Sequence, residues 1–181
     1  MKIFKTYISK NLIKIFFYFD KNFFKSYFIK ILGFYIFFIF GVSKMLFQST
    51  SYNIFFPYNN LVRRSVFEME DFLKDYFPAP FTLLPIPENA PEEIPRINAI
   101  SKHGHTSLNI SLTTAQVTTQ YDDNFNKDWS KCQTYLNERI EKLYEAVEKI
   151  LKTNFLYSGF ITEFYLDDEK DDPLNVILNN F

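Results

Sequence analysis

The stretch His103-Gly104-His105 is the first place where residue types and spacing suggest a chemistry. Two histidines in this arrangement bind zinc or copper through their imidazole nitrogens when a third ligand joins them. The chain has one cysteine and no H-E-x-x-H pattern, so the usual additional zinc ligands are missing. His103 and His105 are therefore the candidate metal ligands. The competing interpretation is a solvated turn in which Gly104 adopts a positive φ.

Other side chains that could react fit structural roles better. Cys132 falls on the apolar stripe of a predicted helix, which indicates a buried thiol and not a nucleophile. Asp122, Asp123 and Asp128 precede that helix, where negative charge favours the helix dipole. The acidic stretch 167–172 lacks the alternating ligands and the loop glycine of a calcium-binding EF-hand, which indicates a solvated loop. The sequence thus predicts no catalytic residue and no cofactor, and it favours a protein without enzymatic activity.

The charges of the chain are divided between two regions. Residues 1–44 hold eight lysines and one aspartate, a net charge of +7. Residues 45–181 hold the remaining twelve basic and twenty acidic residues, a net charge of −8. Charge asymmetry of this size predicts a basic apolar segment followed by an acidic domain. The acidic domain argues against a nucleic-acid partner, and the basic segment suits anionic membrane lipid.

Residues 27–47 form the strongest candidate for a membrane-spanning helix. The 21 residues would extend about 31 Å as a helix, close to the thickness of the hydrocarbon core. Lysines lie only near the two ends, where they can reach the headgroups. Seven lysines precede Ile31, so the positive-inside rule predicts a single-pass protein with a cytoplasmic N-terminus.

A second interpretation places the start of translation at Met45. Phenylalanine, lysine, isoleucine, tyrosine and asparagine account for 33 of residues 1–44, and A/T-rich codons specify these amino acids. Met45 lies where this composition changes. In this interpretation the start codon was assigned too early, and residues 1–44 are not part of the translated protein. In that case the domain that begins at Met45 would be cytoplasmic.

Residues 45–181 predict an α+β fold, an antiparallel meander covered by amphipathic helices and preceded by the apolar N-terminal helix. Apolar residues recur at helical spacing in residues 61–77 and 126–153, with Asn59 or Asn60 as the cap of the first helix. Apolar and polar residues alternate in four predicted strands, 96–101, 106–112, 115–121 and 156–168. Six of the eight prolines fall in residues 77–95, which predicts an extended linker or a cover over a sheet edge. The stretch 173–181 starts a further helix and stops, which suggests that the domain continues past Phe181.

The segment from Glu92 to Val147 resembles a sporadically distributed, uncharacterised bacterial protein family. In that family a Pro-Arg-apolar strand, a glycine-containing hairpin, a further strand and a tryptophan-bearing helix follow one another. Here Pro95-Arg96-Ile97, Gly104 and Trp129 carry the resemblance, and residues 157–166 look like the return strand. The resemblance implies a fold and no catalytic residues, because the family has none that can be transferred.

Two classes of function follow. The first is a non-enzymatic binding or interaction module, tethered to the membrane by one helix, with a protein partner on the polar face of the sheet. The second is a fragment of an enzyme whose catalytic residues lie beyond Phe181.

Overall fold

The computed structural model describes residues 2–9, 12–20, 45–78 and 80–166, and their side chains over 46–78, 80–128 and 130–165. The fold is α+β, with eight strands and two helices in the described residues. In chain order these are β1 (Lys2–Ser9), β2 (Leu12–Asp20), β3 (Met45–Phe55), α1 (Val66–Leu73), β4 (Thr82–Leu83), β5 (Ile97–Ile100), β6 (Thr106–Ile110), β7 (Thr114–Gln120), α2 (Trp129–Lys149) and β8 (Tyr157–Leu166).

One antiparallel sheet contains all these strands in the order β1-β2-β8-β3-β7-β6-β5-β4. The predicted meander is confirmed as β5, β6 and β7, and buried and partly exposed residues alternate along each strand. Gly104 lies in the hairpin between β5 and β6 with a φ of 74°, as the turn prediction requires. The predicted return strand is confirmed as β8, which pairs with β3.

Strand β3 was not expected from the sequence. It joins the meander to β8, since it pairs with β7 on one side and with β8 on the other. A change of register between Phe47 and Ser49 marks a bulge, after which Thr50, Tyr52 and Ile54 point into the core. The predicted helix over 27–47 is therefore wrong at its C-terminal end, where Met45 begins β3. The physical reason is that Phe47 is buried, with its ring centroid 5.9 Å from that of Phe164 on β8. Residues 21–44 lie outside the described residues.

Helix α2 covers the inner face of the sheet, where it contacts β3 and β7, and α1 packs against α2. The Asp128 side chain accepts a hydrogen bond from Lys131 N and caps α2, so the cap lies after residues 122–126, the range where the sequence places it. The predicted stripe of α2 is buried at Cys132, Leu136, Ile140, Leu143 and Val147 and half-buried at Ile150. The side chain of Trp129, at the start of that stripe, lies outside the described residues.

Helix α1 is shorter than the predicted 61–77. Residues 60–65 form turns instead, in which Leu61 O accepts hydrogen bonds from both Arg64 N and Ser65 N. Asn59 starts these turns: its Oδ1 accepts from Leu61 N, and its Nδ2 donates to Leu151 O at 2.8 Å. Because that second hydrogen bond joins the turn to the end of α2, Asn59 ties the two helical segments together.

The proline-rich segment lies along the β5 edge of the sheet, as the edge-cover prediction states. Its two-residue strand β4 pairs with β5. Farther along the segment, Leu112 N donates to Glu92 O. Arg96, the residue before β5, is 1% exposed, and its Nη2 donates to Ala90 O at 3.1 Å and Pro91 O at 3.2 Å. The buried guanidinium therefore anchors the proline-rich segment to the residue that precedes β5. The predicted helix over 173–181 lies outside the described residues.

Candidate functional site

The face of the sheet opposite the two described helices carries neutral polar side chains in register across four strands. One cross-strand row, named here the amide row, consists of Asn98, Asn109, Gln116 and Asn53 on β5, β6, β7 and β3. The neighbouring hydroxyl row consists of Ser107, Thr118 and Ser51 on β6, β7 and β3. All seven side chains are half-buried, as expected for a flat sheet surface open to solvent. This surface is called the open face below.

Hydrogen bonds within the open face hold part of each row in place. Asn98 Nδ2 donates to Asn109 Oδ1 at 2.9 Å. Gln116 Nε2 donates to Ser51 Oγ at 3.0 Å, and Ser51 Oγ lies 3.1 Å from Thr118 Oγ1. These bonds fix the orientation of the amide groups and leave several of their donor and acceptor atoms for solvent or a ligand.

An aromatic pair lies beside the β3 end of the amide row. The rings of Phe55 and Tyr157 stack with their centroids 4.3 Å apart and an angle of 22° between their planes. Along the same two strands, Asn53 pairs in register with Gly159, which contributes no side chain to the surface. The open face therefore has an aromatic wall next to an amide that has no bulky neighbour on β8.

The inner face contains a third polar row, which the sequence pattern did not reveal. Thr106, Thr119, Thr50 and Thr162 are cross-strand neighbours on β6, β7, β3 and β8. Each of them is at most 1% exposed. Polar residues at buried positions need hydrogen-bond partners, so this buried threonine row is a polar band through a largely apolar core. In the sequence, the signal for this row is threonine at strand positions where the alternation otherwise places apolar residues.

Aromatic hydroxyls and one cation cover the buried threonine row. Tyr121 OH lies 2.8 Å from Thr50 Oγ1, and burial raises the pKa of Tyr121 far above its ordinary value. Tyr135 OH lies 3.0 Å from Thr106 Oγ1. Arg139 Cζ lies 3.4 Å from the centroid of the Tyr135 ring, and desolvation lowers the pKa of Arg139. Most of these hydroxyl groups form their hydrogen bonds with one another, which is typical of a structural network.

The candidate metal ligands lie at the hairpin between β5 and β6, and both are exposed. His105 Nε2 lies 3.8 Å from Asp122 Oδ2. The Asp122 carboxylate accepts hydrogen bonds from the backbone and side chain of Asn124, and the backbone bond is the main reason why its pKa is lowered. Within the described ranges, no three His, Cys, Asp or Glu residues come together in a way that could hold a metal ion.

The cysteine lies where the helix stripe predicts, in the core. Cys132 Sγ is 3.2 Å from Phe125 O, to which it donates. Burial raises the pKa of its thiol to about 12, so the thiol stays protonated at neutral pH. The predicted structural role of Cys132 is in agreement with these features. The acidic stretch 167–172 lies outside the described residues.

Among the residues that the structure describes, no helix has the length and apolar character needed to cross a bilayer. Comparison with family models, with curated proteins and with solved structures gives no match. The resemblance to a bacterial family therefore stays a prediction.

Proposed function

We propose that this protein is a non-enzymatic binding module whose open face takes a partner. One observation carries the proposal: both described helices pack on the inner face, while the amide and hydroxyl rows occupy the opposite one. Interfaces are built from solvent-accessible donors and acceptors in fixed positions, beside aromatic anchors. The open face offers accessible donors and acceptors, hydrogen bonds that fix part of them in position, and an aromatic pair beside them.

The chemistry of the remaining side chains supports binding more than catalysis. The Cys132 thiol is buried and protonated. Tyr52 is buried and Tyr121 is half-buried, and desolvation raises the pKa of both phenols. Groups of this kind are poor nucleophiles and poor general bases at neutral pH. A binding role needs none of them to ionise.

Attachment to a membrane is the second part of the proposal. Residues 27–44, together with the lysines that precede them, supply an apolar segment and a basic flank that suit insertion into an anionic membrane. The predicted single span does not fit the fold, because β2 before this segment pairs with β8 after it, which keeps both flanks on one side of the bilayer. Carbonate extraction of the native protein, with mass determination of its N-terminus, tests this part. Protein that begins at Met1 and is released by carbonate would contradict the insertion. Protein that begins at Met45 would place the domain in the cytoplasm.

A photo-crosslinking experiment tests the open face as the binding surface. Benzoylphenylalanine replaces Thr118, in the hydroxyl row, in one variant and the exposed Glu141, on α2, in a matched control. Irradiation of cells that produce each variant should give adducts of higher mass from position 118 and not from position 141. Equal adducts from both positions, or none from position 118, would contradict the proposed binding surface.

A further inference from the structure

We infer that the open face binds a neutral oligosaccharide, with the amide row as its hydrogen-bonding platform. The inference rests on the proposed function and names the ligand class for the same surface. Asparagine and glutamine side chains each carry one acceptor oxygen and two N–H donors, so they pair with hydroxyl groups that both donate and accept. Sugar hydroxyls are such groups, and they occur at short intervals along an oligosaccharide.

The geometry of the row suits an extended ligand. Neighbouring strands of a sheet are about 4.8 Å apart, so the four amides from Asn98 to Asn53 extend over roughly 14 Å. That length allows contact with more than one sugar ring. The row ends beside the stacked pair of Phe55 and Tyr157, whose rings are suited to the apolar C–H surface of a sugar.

Unused hydrogen-bonding atoms are distributed along the whole row. The Asn98 and Asn109 amides use one donor and one acceptor on each other, and Gln116 uses one donor on Ser51. Within the described part of the chain, Asn98 Oδ1, Asn109 Nδ2, Gln116 Oε1 and both ends of the Asn53 amide form no hydrogen bond. These atoms alternate between donors and acceptors, which is the pattern that a polyhydroxylated ligand satisfies.

The charge of the surface selects against anionic ligands. The amide and hydroxyl rows contain no lysine, arginine or histidine, which are the residues that bind phosphate or sulfate groups. A neutral surface attracts a nucleic acid or a sulfated glycan weakly, because it displaces no counterions from the polymer. The occupant that matches the surface in charge is therefore an uncharged glycan.

Isothermal titration of the full chain tests the inference with four neutral probes and one anionic probe. The neutral probes are cellohexaose, maltohexaose, mannohexaose and tetra-N-acetylchitotetraose, and the anionic probe is a heparin hexasaccharide. We expect at least one neutral probe to bind and the heparin probe not to bind. Asn53→Ala and Gln116→Ala should each weaken that binding roughly three- to tenfold, the effect of one or two lost hydrogen bonds between neutral groups.

Asn154→Ala is the matched control, because it removes an exposed amide that lies outside the open face. It should leave binding unchanged, and circular dichroism should show that all three variants are folded. Binding that Asn53→Ala and Gln116→Ala both retain would overturn the inference, as would binding of the heparin probe alone.

Failure of the inference is distinguishable from failure of the proposed function. If no neutral probe binds but benzoylphenylalanine at position 118 still forms adducts, the open face is a binding surface for another ligand class. If neither experiment gives a positive result, both the inference and the proposed binding surface are overturned.

Discussion

The hydroxyl of Tyr135 on α2 lies 3.0 Å from Oγ1 of Thr106 on β6, so a hydrogen bond joins the helix to the sheet. Thr106 Oγ1 also lies 3.1 Å from Thr119 Oγ1, which extends the connection to β7. A buried hydroxyl that bonds to the helix fixes the position of the helix more specifically than apolar packing does, because shifting the helix would break the hydrogen bond between Tyr135 and Thr106.

Two isosteric substitutions in the buried threonine row should have opposite effects. Thr106→Val removes the acceptor and donor shared by Thr119 and Tyr135, and we expect it to lower the free energy of unfolding by about 1–3 kcal/mol. Thr162 Oγ1 is buried and has no hydrogen-bond partner among the described residues, so Thr162→Val should be neutral or stabilising. Urea unfolding of both variants measures the difference. Equal losses of unfolding free energy in the two variants would show that Thr162 Oγ1 forms a stabilising hydrogen bond in the folded protein.

The same row explains why the sequence predicted β5, β6 and β7 but not β3. Alternation in the meander is clean, because apolar residues such as Leu108, Ile110 and Val117 mark the buried face. In β3 the inward-facing residues are Phe47, Thr50, Tyr52 and Ile54, and the bulge between Phe47 and Ser49 interrupts their alternation. Tertiary contacts compensate for these polar residues, and no local pattern reveals such contacts in advance.

The open face was predictable only in part. Alternation indicates that a polar surface lies opposite the core, and this much follows from the sequence. The register that aligns Asn53 with Gln116 depends on where β3 pairs with β7, two strands separated by more than fifty residues. Cross-strand register of this kind follows from packing across the whole sheet. For this reason the sequence indicates His103 and His105 as candidates and does not reveal the amide row.

Stability should fall at alkaline pH because burial raises the pKa values of Cys132, Tyr52 and Tyr121. In the unfolded chain the thiol would ionise near 9.0 and the phenols near 10.0. Above those values the unfolded state has lost protons that the folded state retains, so the free energy of unfolding decreases as pH rises. Below them the full stability is present.

Urea midpoints at pH values between about 8 and 11 measure this dependence. Cys132→Val should reduce the slope over the first unit above the ordinary thiol pKa of 9.0, because the substitution removes the group that titrates there. A midpoint that stays constant across the range would contradict the assigned cause.

Leu136 should be a principal core residue of α2. Its side chain is fully buried against the sheet, so Leu136→Ala should lower the free energy of unfolding by about 2–5 kcal/mol. Glu141→Ala, on the exposed side of the same helix, is the control and should change it by less than about 0.5 kcal/mol. Chemical denaturation of the two variants measures both values. Equal effects would show that the stripe of α2 does not face the core.

Arg96 should control the order of the proline-rich segment more than the stability of the whole domain. Arg96→Met removes the hydrogen bonds to Ala90 O and Pro91 O, but it also removes a buried cation whose Nε and Nη1 have no partner among the described residues. The two effects oppose each other in the global free energy, as for other buried charges replaced by apolar side chains. Whatever the change in the global free energy, the proline-rich segment loses its two hydrogen bonds from Arg96.

Limited digestion by a glutamate-specific protease measures this local effect, because Glu88, Glu92 and Glu93 are exposed in the segment. Cleavage there should be faster in Arg96→Met than in the unmodified protein. Arg64→Met is the control, since Arg64 is exposed and its side chain lies outside the segment. Unchanged cleavage in Arg96→Met would show that other contacts, such as the hydrogen bond from Arg63 Nη2 to Ile86 O, suffice to hold the segment.

A chain that begins at Met45 should fold cooperatively and then self-associate. Every residue of the described hydrophobic core lies between Phe47 and Phe164, so the truncation removes none of it. It does remove β2, which pairs with β8 from Leu12–Tyr165 to Asp20–Tyr157. Strand β8 would then become a long unpaired edge, and such edges pair with other chains.

Circular dichroism with a thermal melt tests the folding, and sedimentation at several concentrations tests the association. Ile161→Lys places a charge on the newly exposed strand and should reduce the association without abolishing the melt. Absence of a cooperative transition in the truncated chain would show that residues 1–44 are required for folding. A truncated chain that folds and remains monomeric at all concentrations would show that the β8 edge is protected without β2.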